Sequence, residues 1–260
     1  MHAFEVKTCS DGWYAAARFL SERADWRAYN LILNVNEPGT MGGLDHVRIE
    51  RLDKLLQRGE RSSVCTVANT IFPMALYQNH GNAGVYERYN KLWPSLSKLP
   101  QNRRGTYARR ILYRKGPDGK VISPLKLVVE RLKNAVGQSN PKRAAYEMGV
   151  VDPFADLPVC DPALDKSIMG FPCLSHLSFK IDDGGALMLT AIYRSQYYIS
   201  RALGNLVGLA WLQHFVAAET GIPTGSLVCI ATMAVLDTLK SEDGGAGWTR
   251  DEVRQLVADQ

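Results

Sequence analysis

The chain has 260 residues, of which 46% are hydrophobic and 22% charged, so it is long enough to bury a substantial core. Its net charge of +5 suits anionic ligands, but no concentrated basic stripe is present, so we expect no nucleic-acid partner. The five cysteines are scattered without a CxxC pair, and neither a signal peptide nor a membrane-length apolar run is found, so we expect a cytoplasmic protein with no metal site and no membrane contact.

The first third of the chain predicts elements of both kinds. Residue spacing predicts helices over Asp11–Glu22 and Val47–Gln57, and a strand over Ala28–Val35. Proline and glycine predict a loop over Glu37–Gly43. The segment His80–Tyr107 is polar and irregular, and although its basic and aromatic residues could bind RNA, no stacking-domain signature accompanies them. We therefore expect this last segment to be a solvated surface connection.

The rest of the chain predicts a helix, two paired strands and a second helix. Leu125–Val136 has apolar residues on one face, as in an amphipathic helix. Cys173 stands just before a predicted strand, Leu174–Ile181, and a short turn separates that strand from a second apolar run, Ala186–Tyr193. An amphipathic helix that carries Asn205 follows, and a final strand comes after it. These elements predict an α+β fold, with one mixed, twisted sheet backed by helices.

Several short motifs occur along the second half in a fixed order. They are Gly105-Thr106-Tyr107, Lys142-Arg143, Pro172-Cys173, Tyr193-Arg194-Ser195 and, eleven positions beyond Arg194, Asn205. As an ordered set, they resemble the core of thymidylate synthase and its pyrimidine hydroxymethylase relatives. The resemblance covers about residues 105–237.

The resemblance implies a fold and an assembly. It implies one thymidylate-synthase-like domain over residues 1–260, with a divergent N-terminal region over about 1–104 and a family-like core over about 105–237. It also implies a homodimer with an isologous interface. In the family, two basic residues at the positions of Lys142 and Arg143 reach the substrate phosphate of the neighbouring subunit.

The resemblance also assigns roles to individual side chains. Cys173 would be the nucleophile that adds to C6 of a pyrimidine ring, with Arg194 lowering the pKa of its thiol. Arg194 and Ser195 would hold the phosphate of a pyrimidine nucleoside monophosphate. Asn205 would read the edge of the base, and because its carboxamide both donates and accepts, we expect uracil rather than cytosine.

Three departures from the family pattern modify these expectations. The histidine that usually follows the nucleophile is replaced by Leu174, and His176 would lie on the same face of a regular strand, so we include it among the substrate contacts. Tyr197 stands where the family has an acidic folate contact. The final strand carries Cys229 and, beyond it, Asp237 where the family holds the sugar, and Asp237 could accept hydrogen bonds from ribose hydroxyls.

The predicted activity is one-carbon transfer to C5 of a pyrimidine nucleotide, with 5,10-methylenetetrahydrofolate as the donor. The family's closing C-terminal segment has no counterpart, which favours hydroxymethylation over methylation because reductive methylation must exclude water. One alternative is a folate-independent enzyme of the same fold that acts on a pyrimidine-type nucleotide. A second is a non-catalytic nucleotide-binding protein, which the joint retention of cysteine, arginine, serine and asparagine disfavours.

Overall fold

The computed structural model of the chain combines one mixed β-sheet with helices. It describes residues 1–99, 102, 105–115, 119–138, 144–151, 172–239 and 247–258. Within these ranges the predicted α+β architecture with a mixed sheet is confirmed. No helix in these ranges is both long and apolar enough to cross a membrane.

Seven strands of the described residues form the main sheet, and two form a small separate ribbon. The strands are β1 His2–Val6, β2 Arg27–Val35, β3 Arg114–Lys115, β4 Val121–Ile122, β5 Glu147–Gly149, β6 Leu174–Ile181, β7 Leu187–Tyr193, β8 Gln196–Tyr197 and β9 Thr224–Val235. The main sheet has the order β1-β2-β9-β7-β6-β5, with β8 also paired to β9, while β3 and β4 form the ribbon. The pairs β1–β2, β7–β9 and β8–β9 are parallel and the others are antiparallel.

Helices occupy most of the remaining described residues. They are α1 Cys9–Ser21, α2 Gly43–Arg58, α3 Val64–Asn69, α4 Met74–Ala83, α5 Tyr89–Leu96, α6 Tyr107–Leu112, α7 Pro124–Ala135, α8 Leu203–Thr220 and α9 Arg250–Ala258. Two π-helical turns, Gly84–Arg88 and Tyr198–Ala202, lead into α5 and α8. The helices predicted around residues 11–22, 47–57 and 125–136 are therefore confirmed to within a few residues.

Helix α8 lies at the centre of the core rather than at its surface. It packs on β7 and β9 of the sheet, and α1 and α3 pack against its other sides. Most of its residues are buried, so the prediction of an amphipathic helix is wrong. A helix that is covered on several sides needs no polar face, because little of it reaches water.

The segment around residues 80–107 also differs from its prediction. It is largely helical, since it contains the end of α4, a π-helical turn and α5. Val85 and Tyr89 are buried, and Tyr86 and Trp93 pack against the core. Burial of these apolar and aromatic side chains stabilises helices that the polar composition disfavours.

Candidate functional site

A cavity of about 350 Å³ opens where the start of β6 meets α8. We call it the cysteine cavity. The polar and reactive side chains of its wall include those of Tyr107, Arg110, Cys173, Ser195, Arg201 and Asn205. Val67 and Thr70, from α3 and the residue after it, form another part of the wall.

Cys173 is held at the end of β6 by contacts on both sides. The hydroxyl of Tyr107 accepts hydrogen bonds from the backbone N–H groups of Cys173, at 3.2 Å, and Leu174, at 3.4 Å. The carbonyl of Cys173 accepts from the backbone N–H of Arg194 at 2.9 Å. Because β6 and β7 are antiparallel neighbours, Cys173 and Arg194 lie at adjacent strand ends, as the sequence predicted. The backbone that carries the half-buried thiol is thus held on both sides.

Opposing influences set the pKa of the Cys173 thiol. Burial raises the pKa above its ordinary value, and the positive charges of Arg194 and Arg201 act to lower it. The Arg194 side chain also hydrogen-bonds to the thiol, and its Nε donates to the carbonyl of Pro172 at 3.1 Å. Burial is the largest of these effects, so the thiolate forms near neutral pH only to the extent that the arginines offset it.

Asn205 and Arg201 reach the cysteine cavity because the π-helical turn before α8 is held firmly. The indole N–H of Trp13 donates to the carbonyl of Tyr198 at 2.6 Å. The carboxylate of Asp237 accepts from the backbone N–H groups of Ile199, at 2.8 Å, and Ser200. Arg201 and Asn205 are four residues apart, so they lie on one helical face and both line the cavity.

The carboxamide of Asn205 is available for a ligand. The residue is only 4% exposed, yet its side chain makes no hydrogen bond to the part of the chain that the structure describes. Because the residue lines the cavity, the donor and the acceptor of its carboxamide can meet a ligand there.

The structure brings Cys173, Ser195, Tyr197 and Asn205 into one cavity wall. Arg194 contacts Cys173 but is not among the residues that line the cavity. Lys142 and Arg143, the predicted phosphate ligands from a partner subunit, lie outside the described residues.

His176 does not line the cysteine cavity. The register of β6 against β7 shifts between Leu174 and His176, so Leu174 is buried while His176 lies on the opposite face. The expectation that the two share a face is wrong, because a β-bulge breaks the alternation of side chains. His176 instead lies 2.7 Å from Glu147, whose carboxylate also accepts from Ser178 and Lys180.

Asp237 and Cys229 are also absent from the wall of the cavity. Burial raises the pKa of Asp237, although its hydrogen bonds from the π-helical turn act in the other direction. Cys229 is buried in the core, where burial raises the pKa of its thiol to about 12. Its S–H points to Gln196 at 3.8 Å. Both side chains are therefore engaged inside the protein.

Three cavity residues had no role in the sequence analysis. Arg201 precedes Asn205 by one helical turn, and a cation at that spacing is a usable sequence signal. Tyr107 had been noted only as part of a turn motif, and its bond to the backbone of Cys173 spans 66 residues of sequence. Arg110 lies on α6, one turn from Tyr107, and lines the same wall.

A second space, of about 320 Å³, adjoins the cysteine cavity. Four residues line both spaces, namely Thr70, Asn102, Thr106 and Arg201. The remainder of the wall is rich in apolar side chains, including Leu76, Leu92, Leu96 and Leu99. We call this space the leucine chamber. The site can therefore accept a polar ring beside Cys173 and an apolar body next to it.

Two curated proteins, both named "Putative thymidylate synthase", are similar to the chain. One, from Methanothermobacter thermautotrophicus, is 40% identical over 67 residues, which are 26% of the chain and 30% of that relative. The other, from Methanothermobacter marburgensis, is 30% identical over 132 residues, which are 50% of the chain and 50% of that relative. The chain is a distant homologue of these two proteins.

The resemblance to thymidylate synthase that the residues carry is thereby confirmed at the level of distant homology. The matches span half or less of each relative's length. No family model matches the chain. Within the described residues, no group of three or more histidine, cysteine, aspartate or glutamate side chains could hold a metal ion.

Proposed function

We propose that the chain is a pyrimidine-nucleotide C5 one-carbon transferase in which Cys173 adds to C6 of the ring. The observation that carries the proposal is one cavity wall that combines a cysteine, two arginines and a carboxamide that makes no hydrogen bond within the described residues. Distant homology to proteins named as thymidylate synthases supports the same reaction type.

The chemistry follows from the reactivity of the ring. C5 is a weak nucleophile until Sγ of Cys173 bonds to C6 and the C5–C6 electron pair moves into the C4 carbonyl as an enolate. C5 would then bond to the one-carbon unit and lose its proton to solvent, while the two C–N bonds that held this carbon break and tetrahydrofolate leaves. Water adds to the new exocyclic carbon, and expulsion of the thiolate restores the ring. The product carries a hydroxymethyl group, and this series of reaction steps consumes no reductant.

Asn205 and the cations divide the recognition of the nucleotide. The free carboxamide of Asn205 offers a donor and an acceptor, which match the O4 and N3–H groups of uracil. Arg110, Arg201 and Ser195 line the same cavity and suit a phosphate, since guanidinium groups bind it with charge-assisted hydrogen bonds. Three further cations complete the proposed anion site. They are Arg194, which contacts Cys173, and Lys142 and Arg143 of the partner subunit.

The leucine chamber suits the one-carbon donor. When bound, 5,10-methylenetetrahydrofolate supplies a carbon at the oxidation level of formaldehyde. Its aromatic part is apolar, and the leucines beside the cysteine cavity would exclude water from that part. Tyr197 lies at the edge of the cysteine cavity and would contact the donor as well. Donor and nucleotide would thus meet near Thr70, Thr106 and Arg201.

Hydroxymethylation is the favoured outcome because the cavity is accessible to water. Tyr197, in its wall, is 47% exposed. Water that reaches the exocyclic carbon competes with hydride transfer, which methylation requires. The ratio of hydroxymethylated to methylated product measures this competition directly.

The assembly proposed with this function is a homodimer of single-domain subunits. The face of the sheet that α1 and α8 leave open carries half-buried apolar side chains, including Ile32, Met188, Ile192, Val228 and Ile230. Stacking this face on its copy would bury them in an isologous interface. By the family resemblance, Lys142 and Arg143 of one subunit would contribute to the other subunit's phosphate site in such a dimer.

The test compares Cys173→Ser with Cys65→Ser, a matched control at an exposed cysteine. Release of tritium from C5 of deoxyuridine or uridine monophosphate is followed with and without methylenetetrahydrofolate, and the nucleotide product is identified by mass spectrometry. We expect Cys173→Ser to abolish release while nucleotide affinity stays nearly unchanged, because the thiol acts in the transition state. Cys65→Ser should behave as the unmodified chain.

The outcomes separate the alternatives. A covalent adduct of a 5-fluoropyrimidine nucleotide with Cys173 only in the presence of the folate supports one-carbon transfer. Tritium release without any folate dependence favours the folate-independent enzyme. Binding of a nucleotide without release, unchanged in Cys173→Ser, leaves a non-catalytic binding protein. Calorimetric titration with uridine and cytidine monophosphates, in ribose and deoxyribose forms, identifies the base and the sugar.

A further inference from the structure

A separate cavity, of about 180 Å³, lies on another side of α8. Leu203, Val207 and Ala210 form its wall on that helix, one turn apart from one another, whereas Asn205 faces the cysteine cavity. The remaining walls come from the start of α1, from α2, from the first residue of α4 and from the loop of residues 38–41. We call it the Asp45 cavity. A ligand there would touch none of the residues that line the cysteine cavity.

The walls of the Asp45 cavity are mainly apolar. Ile49, Met74 and Trp211 join the aliphatic side chains of α8. An apolar cavity of about 150 Å³ is large enough to bind benzene. The Asp45 cavity can therefore hold one six-membered ring with a short substituent. Met41, on the loop beside it, is 45% exposed, so the cavity can be reached from solvent.

Ser10, Thr40, His214 and one buried carboxylate are the polar side chains of this wall. Asp45 is 6% exposed and accepts three hydrogen bonds, from Thr8 Oγ1 at 2.6 Å, Ser10 Oγ at 2.5 Å and the backbone N–H of Gly42 at 2.6 Å. The two hydroxyls bond to Oδ1, and the Gly42 N–H bonds to Oδ2. A carboxylate has about four acceptor positions, so one position remains on Oδ2.

The surroundings keep Asp45 negatively charged. Burial alone would raise the pKa of Asp45, but the hydrogen bonds from Ser10, Thr8 and Gly42 hold it below its usual value. The nearest cation, Arg48, is shared, since its Nη1 lies 2.6 Å from Asp11 Oδ1. Two carboxylates and one guanidinium give this cluster a net charge of −1. Asp45 is the buried carboxylate of this cluster, since the Asp11 side chain is 35% exposed, and a buried carboxylate beside an apolar wall favours a cationic guest.

We infer that the Asp45 cavity binds a small organic cation, a ring-sized apolar body that carries a primary ammonium group. The ring lies against the aliphatic side chains of α8, and the ammonium donates to Oδ2 of Asp45. A neutral apolar molecule leaves the remaining acceptor position of Asp45 unpaired, and an anion is repelled by the carboxylate. The site is independent of the proposed transfer reaction.

Benzylamine is a suitable probe, because it combines one six-membered ring with an ammonium group that is charged at neutral pH. Benzyl alcohol is the matched neutral compound. In calorimetric titrations of the full chain we expect benzylamine to bind at least tenfold more tightly than benzyl alcohol. Asp45→Asn should weaken benzylamine binding by about 10–100-fold, since a hydrogen bond between charged groups is lost.

Two further variants keep the test decisive if Asp45→Asn does not fold. Ala210→Leu fills the cavity from α8 and should abolish binding. Asn205→Ala, on the other face of the same helix, should leave it unchanged. Equal affinity for benzylamine and benzyl alcohol overturns the inference, as does unchanged binding in Ala210→Leu. Absence of detectable binding at benzylamine concentrations up to ~10 mM also overturns it.

Discussion

At the scale of single residues, the reactivity of Cys173 depends on a balance between burial and charge. Burial raises the pKa of the thiol more than Arg194 and Arg201 lower it. A mostly protonated thiol reacts slowly with electrophiles, so the arginines control the rate at neutral pH. The two arginines belong to separate elements, so replacing them one at a time measures how much each lowers the pKa of the Cys173 thiol.

We predict that Arg201→Gln raises the pH midpoint for alkylation of Cys173. Loss of a nearby positive charge disfavours the thiolate, so the pH profile of iodoacetamide reaction should move to higher pH. Arg110→Gln is the control, because Arg110 lines the same cavity but does not contribute to the pKa of Cys173. An unchanged midpoint in Arg201→Gln would refute this account of the thiol.

The hydrogen-bonded carboxylate of Asp45 makes stability dependent on pH in the acid range. Its pKa is lowered in the folded state, so its contribution to the free energy of unfolding is present above the unfolded pKa, and is lost as pH falls through the folded value.

We predict that Asp45→Asn lowers the free energy of unfolding by about 2 kcal/mol at neutral pH, because hydrogen bonds to a buried charge are lost. The difference between the two proteins should shrink as pH falls below about 4, where the carboxylate of the unfolded chain protonates. Urea unfolding at several pH values measures this. The exposed Asp25→Asn serves as control, and a difference that grows toward acid would contradict the assignment.

At the scale of elements, close approach of α3 and α8 positions part of the site. A Cβ atom on Gly208 would lie 2.7 Å from the carbonyl oxygen of Ala68, and one on Gly204 would lie 2.5 Å from Cβ of Val67. Only glycine allows the helix backbones to come so near. Because α3 also supplies Val67 to the wall of the cysteine cavity, this contact fixes the width of the site.

We predict that Gly208→Ala destabilises the protein by about 1–3 kcal/mol, since overpacking outweighs the gain in helix propensity. Displacement of α3 should also weaken nucleotide binding. Gly43→Ala, at the start of α2, is the control because no atom lies within 4 Å of its added Cβ. Denaturant unfolding and calorimetry give the two readouts. If Gly208→Ala and Gly43→Ala have the same free energy of unfolding, α3 moves aside for the added methyl group without cost, and the prediction is wrong.

At the scale of the whole molecule, the sheet has two different faces. Leu187, Leu189 and Ala191 of β7 are buried on the side of the helices. Met188 and Ile192, which alternate with them, are only partly covered. A sheet whose second face is this apolar is suited to pairing with another copy, and this supports the proposed dimer.

We predict a dimer at micromolar concentration and its loss in Ile230→Lys, because a charge on the open face would be desolvated at the interface. Leu127→Lys is the control, since Leu127 is an exposed side chain of α7. Sedimentation velocity distinguishes the species. A wild-type chain that is monomeric under these conditions would rule out a stable dimer.

The sequence by itself determined several of the elements and part of the site. Strands β2, β6 and β7 and helices α1, α2 and α7 follow from periodicity, because side-chain alternation is recorded in neighbouring residues. The same local order located Cys173 at a strand end and Asn205 on a helix. The proximity of these two residues depended only on how those elements pack.

Tertiary structure alone decided the rest. A β-bulge places His176 on the opposite face from Leu174, which a regular alternation of side chains does not predict. The backbone N–H groups of the π-helical turn bind the carboxylate of Asp237, a contact that periodicity does not predict either. Tyr107 meets Cys173, and Arg201 joins it in the cavity wall, because separate elements converge there. Burial of apolar side chains likewise stabilises helical structure in the polar segment that begins at residue 80. Packing on several sides places α8 at the centre of the core. These outcomes depend on contacts between residues distant in sequence, which local periodicity does not record.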